Sequence, residues 1–412
     1  MLTGDGYLVR LHFSCGILAS DQARHIARLA QRYGNGLIDL TRRANLQIRG
    51  VSEERITGLQ AQLVAANLIA EDAQGADAPN VIASPLAGRS REALIDITPI
   101  VRDLETRLAT ELGARELPAK FCVVIEDGAR FSLKDVAADI AFEACERNGK
   151  VRFAVLIGGG EVGGFVEADE IAATALTLMS AFTALRTKTV APRMCELVRE
   201  VGLPAITASC PALGGLSRKL WNARHDVDGR GKPGQDVLGL IADNVLGVGA
   251  PFGSFHADQL QLLADLAERF AESEMRLTPW RAILIPAVAV AHVKHIAAKC
   301  ERAGLIIDPS DRRRHAAACA GAPACASASV NTRGMAAALA PLLKPQETLH
   351  VSGCAKSCAS SASASVTLVG RDGRFDFVRN GKASDTPASF GLSAEAARAA
   401  VERIAAEDLA RV

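Results

Sequence analysis

The sequence predicts an α+β protein of pseudo-twofold build, in which two copies of a small αβ unit are each joined to a larger α/β half. Three observations predict it. Residues 7–51 read strand, helix, strand: YLVRLHF, then SDQARHIARLAQRYG, then LIDLTRRANLQIRGV. The unit returns 237 positions later without a gap, setting Asp21-Gln22 on Asp258-Gln259, Leu29-Ala30 on Leu266-Ala267, Arg32-Tyr33 on Arg269-Phe270 and Leu40-Thr41 on Leu277-Thr278. Matches of that density mark a duplication. The order that closes the chain (strand SVTLVG, turn RDGR, strand FDFVRNG, helix SAEAARAAVERIAAEDLA) echoes the strand and helix ending of residues 151–185, so the larger domain reads as duplicated too. The expected division is a first small unit at 1–80, a first α/β half at 90–190, a linker and loop region at 191–240, a second small unit at 241–305 and a second α/β half at 306–412.

In the first unit Ser20 is a good N-cap, and Ile26, Leu29, Ala30 and Tyr33 recur at helical spacing until Gly34. In the strand that follows, the period of two places Arg43, Asn45, Gln47 and Arg49 on one face and Leu46 and Ile48 on the other. The matching positions of the second copy are Trp280, Ala282, Leu284 and Pro286, so the polar face has become apolar and the copies divide their labour. Two guanidinium forks and two carboxamides in a row suit carboxylates or small anions; the alternative is a solvated sheet surface. Residues 52–75 form an amphipathic segment with Leu59, Leu63 and Leu68, and APNVIASPLAGRS (78–90) reads as a linker. From 91 to 190 the pattern is helix (DITPIVRDLETRLATEL), strand (KFCVVIED), helix (SLKDVAADIAFEAC), strand (VRFAVLIGG) and helix (ADEIAATALTLMSAFTAL). GGGEVGG has neither a Lys-Ser/Thr pair nor dinucleotide spacing and reads as a turn. Residues 216–236 read as an exposed loop whose His225, Asp226 and Asp228 are either metal ligands or solvated. Residues 291–305 form a helix with His292 and His295 one turn apart, a ligand pair or a helix edge.

Lys plus Arg total 47 against 46 for Asp plus Glu, a formal net charge of +1 that leaves no global field for nucleic acid or anionic lipid. An anionic ligand must therefore meet local basic residues. No apolar run of about 18 residues appears, and Asp5 and Arg10 stand where a signal peptide needs apolar residues, so the expected compartment is the cytoplasm. Six of the ten cysteines are scattered and read as small buried residues. The other four come in two tight pairs, Cys319 and Cys325 in CAGAPAC, Cys354 and Cys358 in SGCAKSC. In a reducing compartment such pairs read as a metal or redox site before they read as disulfides. Structural zinc prefers pairs two to four residues apart, which fits Cys354/Cys358 but not the wider first pair; an iron–sulfur cube tolerates the wider span, and zinc stays the alternative. The Ala, Ser and Gly around the thiolates let backbone N–H groups reach the sulfurs.

Cys-x5-Cys followed by Cys-x3-Cys resembles the cluster motif of the sulfite and nitrite reductase haemoprotein superfamily. The resemblance extends to LTRRANLQIRG, where Arg43 and Gln47 match a motif whose arginine contacts the tetrapyrrole or the anion. It extends also to Asn80, Val81, Pro85 and Gly88, and to LPAKF, which gives Lys120 the role of reaching the active-site anion. It implies a 4Fe–4S cluster on Cys319, Cys325, Cys354 and Cys358, with Cys358 bridging to an iron in the active site. Ala44, Pro79 and Cys122 depart from the pattern and thin the set of anion ligands. Within the superfamily TGDGYLVRLHF, GNGLIDLTRRANLQIRG, VGAPFG and LTPWR resemble the precorrin-3B synthases of aerobic cobalamin synthesis. That resemblance implies catalysis involving Cys358, Arg43 and Lys120, and binding of precorrin-3A by Arg43, Asn45, Gln47, Arg49 and Lys120. It further implies dioxygen as co-substrate, an electron donor not identified by sequence, and no nucleic-acid or membrane partner. A further non-haem iron stays open. The alternatives are an assimilatory sulfite or nitrite reductase carrying sirohaem, and a non-catalytic cluster or tetrapyrrole-binding protein.

Overall fold

The computed structural model describes residues 1–71, 78–110, 117–186, 192–208, 210–213, 237–241 and 244–407. The loop carrying His225, Asp226 and Asp228 lies outside them. The first small unit holds β1 (Leu2–Thr3), β2 (Gly6–Leu11), β3 (Ile17–Ala19), α1 (Ser20–Tyr33), β4 (Leu37–Leu40), β5 (Leu46–Val51) and α2 (Glu53–Ala65). The first α/β half holds β6 (Asn80–Ala83), α3 (Thr98–Thr110), β7 (Cys122–Glu126), β8 (Ile140–Arg147), β9 (Lys150–Ile157), β10 (Glu161–Val166), α4 (Ile171–Arg186), α5 (Met194–Val201) and α6 (Leu203–Thr207). The second unit repeats the first with β11 (Gly239–Ile241), β12 (Val245–Gly249), β13 (Ser254–His256), α7 (Ala257–Phe270), β14 (Glu274–Leu277), β15 (Ala282–Ile285) and α8 (Val290–Arg302). The second half follows with β16 (Ala316–Ala318), α9 (Thr332–Leu339), β17 (Leu349–Ser352), β18 (Ala364–Arg371), β19 (Arg374–Gly381), β20 (Ser389–Leu392) and α10 (Ala394–Glu407).

The duplication holds down to backbone conformation. Cys15 (φ 52°) and Phe252 (φ 58°), 237 positions apart, both occupy the left-handed region, as do Ala44 (φ 54°) and Arg281 (φ 62°), a conformation few non-glycine residues adopt. The two small units also exchange a strand. Their sheets run β1-β2-β5-β4-β13 and β11-β12-β15-β14-β3. Thus Phe255 of the second copy pairs with Ile38 of the first, while Leu18 of the first pairs with Met275 of the second. Ala23, Ile26, Ala27, Leu29 and Ala30, one face of α1 by the helical period, bury against Leu260, Leu263, Ala264, Leu266 and Ala267 of α7 in one shared core.

Each α/β half is a five-stranded sheet with the same connectivity. In the first, β6, β7 and β8 run parallel and β9 and β10 antiparallel; in the second, β16, β17 and β18 are parallel and β19 and β20 antiparallel. Three expectations are corrected. The segment SLKDVAADIAFEAC is not a helix: Ile140, Phe142 and Ala144 are buried at period two, so its second part is β8, and burial between β7 and β9 overrides the helical propensity of an alanine-rich run. Asn80–Ala83 is not linker but the edge strand of the first half. Residues 194–207, placed in a linker, form α5 and α6, which sink Met194, Leu197 and Ile206 into the core of that half. In GGGEVGG the turn ends at Gly160, and from Glu161 the chain is β10. His292 and His295 are exposed and pack on the Phe270 ring, so they form a helix edge.

Candidate functional site

β16 and β17 end side by side, Ala318 opposite Val351, and the four cysteines sit on the two loops that leave those ends. Ligand sites of parallel sheets gather at such C-terminal ends. Gly353 N–H donates to Cys319 Sγ at 3.1 Å, the contact expected of a chain built to tune a sulfur. A Cβ at Gly353 would come within 2.5 Å of Ala328 Cβ and 3.4 Å of Cys319 Sγ, so the approach needs glycine. Although Cys358 is exposed as a residue, its thiol is held above the ordinary value, by burial of the sulfur first and then by Cys354, Cys319 and Cys325; Lys120 pulls the other way. Four sulfurs therefore face one region with a lysine beside it. Among the described residues no three His, Cys, Asp or Glu side chains converge as the ligands of a single ion do. A cube takes one thiolate at each iron, and four free cysteines on the two adjacent loops after β16 and β17 supply that donor set.

The first small unit clamps the cluster loop. Arg49 is 4% exposed and donates to Asp5 (3.0 and 3.2 Å), to Asp39 Oδ2 (3.3 Å) and to the Ala324 carbonyl (2.8 Å). Arg333 grips both oxygens of Asp39 at 2.9 Å from α9. The second unit does the same for the first half: buried Arg276 donates to the Ala87 carbonyl at 2.9 Å, in the loop after β6.

Beside the cluster loops lies a cavity of about 1040 Å³. It forms where the turn at 41–44 of the first unit meets its counterpart at 278–281, one from each copy, and where the chain past Cys358 (Ser360, Ala362) closes the wall. Six arginines line it (Arg42, Arg43, Arg193, Arg281, Arg313 and Arg314) against one acid, Asp135, which accepts from Trp280 Nε1 at 3.0 Å. Arg281 is pushed down to about 10 by burial and by the charges of Arg42 and Arg333. Burial also lowers Arg43, whose guanidinium donates to the carbonyls of Ala119 and Lys120. Cys122 is pushed up to about 12 by burial and presents a neutral thiol.

Of the residues singled out in the sequence, the structure brings Arg43, Lys120 and Cys358 together, Arg43 on the cavity wall and Lys120 beside the cysteines. Asn45, Gln47, Arg49, Lys120 and Cys358 are not among the lining side chains. Asn45 is buried, contacts His12 (3.0 Å) and donates to Asn80 (2.7 Å), and Asn80 in turn donates to the Arg43 carbonyl (3.1 Å), so it braces the turn. The expected strand face shared by Arg43, Asn45, Gln47 and Arg49 is corrected: β5 begins at Leu46, and Ala44 in the left-handed region puts Arg43 in the turn before it. The partners of Arg49, Asp5 and Asp39, come from the turn before β2 and from β4. Sequence reasoning missed Arg42, Arg193, Arg281, Arg313 and Arg314; the doublet in LTRRAN and the run DRRRH before the first cysteine were the available signals.

Residues 1–66 and 242–303 match the family described as nitrite/sulfite reductase ferredoxin-like half domain, which recovers both small units. Residues 74–211 match the nitrite and sulphite reductase 4Fe-4S domain. That match falls on the first α/β half, whose loops after β6 and β7 hold no cysteine; here the cysteines lie on the equivalent loops of the second half. The NirA protein of Mycobacterium tuberculosis shares the fold, with a TM-score of 0.73 at 22% identity over 96% of this chain and 80% of that one. Fold and site define an oxidoreductase of the sulfite/nitrite reductase superfamily with a 4Fe–4S cluster. A precorrin-3B synthase of a Sinorhizobium species is 30% identical over 95% of this chain and 83% of that protein. The ferredoxin–nitrite reductase of Synechococcus elongatus is 27% identical over 99% and 85%. The chain belongs to the precorrin-3B synthase family.

Proposed function

We propose that this enzyme converts precorrin-3A to precorrin-3B, hydroxylating carbon 20 of the macrocycle and closing a γ-lactone from a ring acetate. One oxygen atom of dioxygen enters the macrocycle, and the other leaves as water with two electrons from a separate donor and two protons. The observation that carries this reading is the cavity: six arginines on its wall, of which Arg193 and Arg313 are paired with Asp139 and Asp311, in a protein of net charge +1, suit a macrocycle with many carboxylate arms. Trp280 offers an aromatic face for the ring, with Phe131 packed 6.2 Å from it, centroid to centroid. Arg43 binds a carboxylate from the first unit's turn; Asn45 holds that turn through Asn80, while Gln47 and Arg49 support the strand behind it. Lys120 adds a positive charge between the cluster loop and the substrate. When bound by Cys319, Cys325, Cys354 and Cys358, the cluster supplies one-electron transfer. Cys358 is the ligand nearest in sequence to the cavity wall, two residues before Ser360.

A second reading, a sirohaem-dependent sulfite or nitrite reductase, draws on the nitrite reductase relatives and would fill the same cavity with a tetrapyrrole cofactor. Purification from a host that makes sirohaem separates the two. The expected protein lacks the sharp sirohaem bands and converts precorrin-3A only when dioxygen and a reductant are present. Stoichiometric sirohaem with nitrite or sulfite reduction, and no turnover of precorrin-3A, overturns the first reading.

A further inference from the structure

Within the basic wall, His350, Arg42 and Arg281 share one stretch of the cavity lining. His350 stands on β17, where the pleat sends Leu349 and Val351 into the apolar core of the second half and His350 to the other face. It is 1% exposed and lines the cavity, yet neither ring nitrogen has a hydrogen-bond partner. Its neighbours in register cannot supply one: Ala317 has no polar side chain, and the Thr367 hydroxyl donates to the Gly381 carbonyl at 2.8 Å. Native interiors seldom leave such a group unmet unless something outside the chain completes it.

Two cations of the wall also have capacity to spare, Arg42 exposed and Arg281 half-buried. Among the described residues Arg42 has no ion pair or hydrogen bond, and Arg281 makes one bond, of 3.3 Å, to the Phe252 carbonyl. All three line the same cavity, and Arg42 is near enough to act electrostatically on both Arg281 and His350. The acid that acts on Arg281, Asp39, is already held by Arg49 and Arg333. Burial first, then the charge of Arg42, lowers His350, which is therefore neutral near pH 7 and carries one N–H donor. Two guanidinium groups and a donor imidazole around one space call for an anion.

We propose that Arg42, Arg281 and His350 form a subsite for one carboxylate arm of the macrocycle, with one guanidinium from each duplicated unit and the imidazole N–H beneath. The inference rests on the tetrapyrrole reading above. It makes His350, which no cluster motif requires, a specificity-determining residue.

The test titrates the cluster-loaded enzyme anaerobically with precorrin-3A at several salt concentrations, alongside Arg42→Gln, Arg281→Gln, His350→Gln and His350→Phe. Iron and sulfide content serves as the folding check. Each arginine variant should raise Kd about 10- to 100-fold, the loss of a hydrogen bond to a charged group, and should flatten the salt dependence of Kd. Combined, the two should cost less than the product of their single effects, because they hold the same carboxylate. His350→Phe should raise Kd about tenfold, and His350→Gln, which keeps an N–H donor, should recover most of that loss. Wild-type binding with unchanged Kd and salt slope in the variants overturns the subsite alone. Failure of the wild type to bind precorrin-3A overturns the substrate reading and the subsite with it.

Discussion

Arg49→Ala should release the cluster loop. In the native protein the guanidinium is 4% exposed and makes four contacts, two to Asp5, one to Asp39 and one to the Ala324 carbonyl. Asp39 loses least, since Arg333 still holds both its oxygens at 2.9 Å. Asp5 keeps only the Thr3 hydroxyl (2.8 Å) and the Asn35 amide (3.1 Å) while its side chain is 8% exposed. Breaking a buried ion pair on one side costs about 3–5 kcal/mol. Asp5 lies in the turn between β1 and β2 beside exposed Gly4 and can swing toward water, so the lower end, about 3 kcal/mol, is expected, and the orphaned Ala324 carbonyl adds about 1 kcal/mol. Urea denaturation with iron and sulfide analysis measures both consequences: a lower midpoint and poorer cluster retention. Burial pushes the Asp5 carboxyl up, but its bonds to Arg49 and Thr3 outweigh that and hold it below 3.8. Its contribution is therefore present above that value and lost as pH falls through the lowered one, so the wild-type advantage over Arg49→Ala should shrink below about pH 4. A variant with full cluster and unchanged stability but weakened precorrin-3A binding would refute the clamp and return Arg49 to the ligand.

Three further outcomes are expected. Anaerobic reconstitution should load about four iron and four sulfide per chain; stoichiometric zinc without sulfide would reject the cluster. Cys358→Ser should abolish turnover, whereas Cys300→Ala, in the apolar core far from the cysteine loops, should leave turnover intact at a cost of about 1 kcal/mol in stability; full activity in the first variant removes Cys358 from the site. Burial lowers His12, but Glu105 (2.9 Å) and Asn45 outweigh it and raise it above 6.5, so the pair stabilises most below that value and its contribution fades as pH rises through the raised one. Because His12 is 41% exposed, Glu105→Gln should cost about 0.5–1 kcal/mol near pH 5.5 and little at pH 8; a loss independent of pH would contradict this.

What the sequence disclosed depends on how far apart the interacting residues lie. The duplication was legible because α1 and α7 kept aligned apolar faces, and the cluster because all four thiolates fall within 40 positions, Cys319 to Cys358. The strand exchange was not, since β3 and β13 are three residues each, too short for a period to register. β8 was lost to an alanine-rich stretch whose strand character comes from burial between two neighbours. The basic wall escaped for a related reason: its arginines come singly or in pairs from four separate stretches, and only folding sums them into one field. Arg49 shows the converse, a residue whose place on a strand was legible and whose partners were not.

The exchanged strands bear on the order in which the chain can fold during synthesis. β4 waits for its neighbour β13, whose Ser254 lies 214 positions after Leu40. At roughly 5–20 residues per second on the ribosome, that is an interval of about 10–40 seconds. Through it β4 is an unpaired sheet edge, β3 has no sheet to join, and the apolar face of α1 lacks α7. A nascent chain halted near residue 210 can assemble the first α/β sheet, whose strands all lie within Asn80–Val166, but not the N-terminal unit that precedes it. The small unit made before that half is therefore finished after it, and a holdase would be needed on it until β13 emerges, the interval in which its protection from proteases should be weakest.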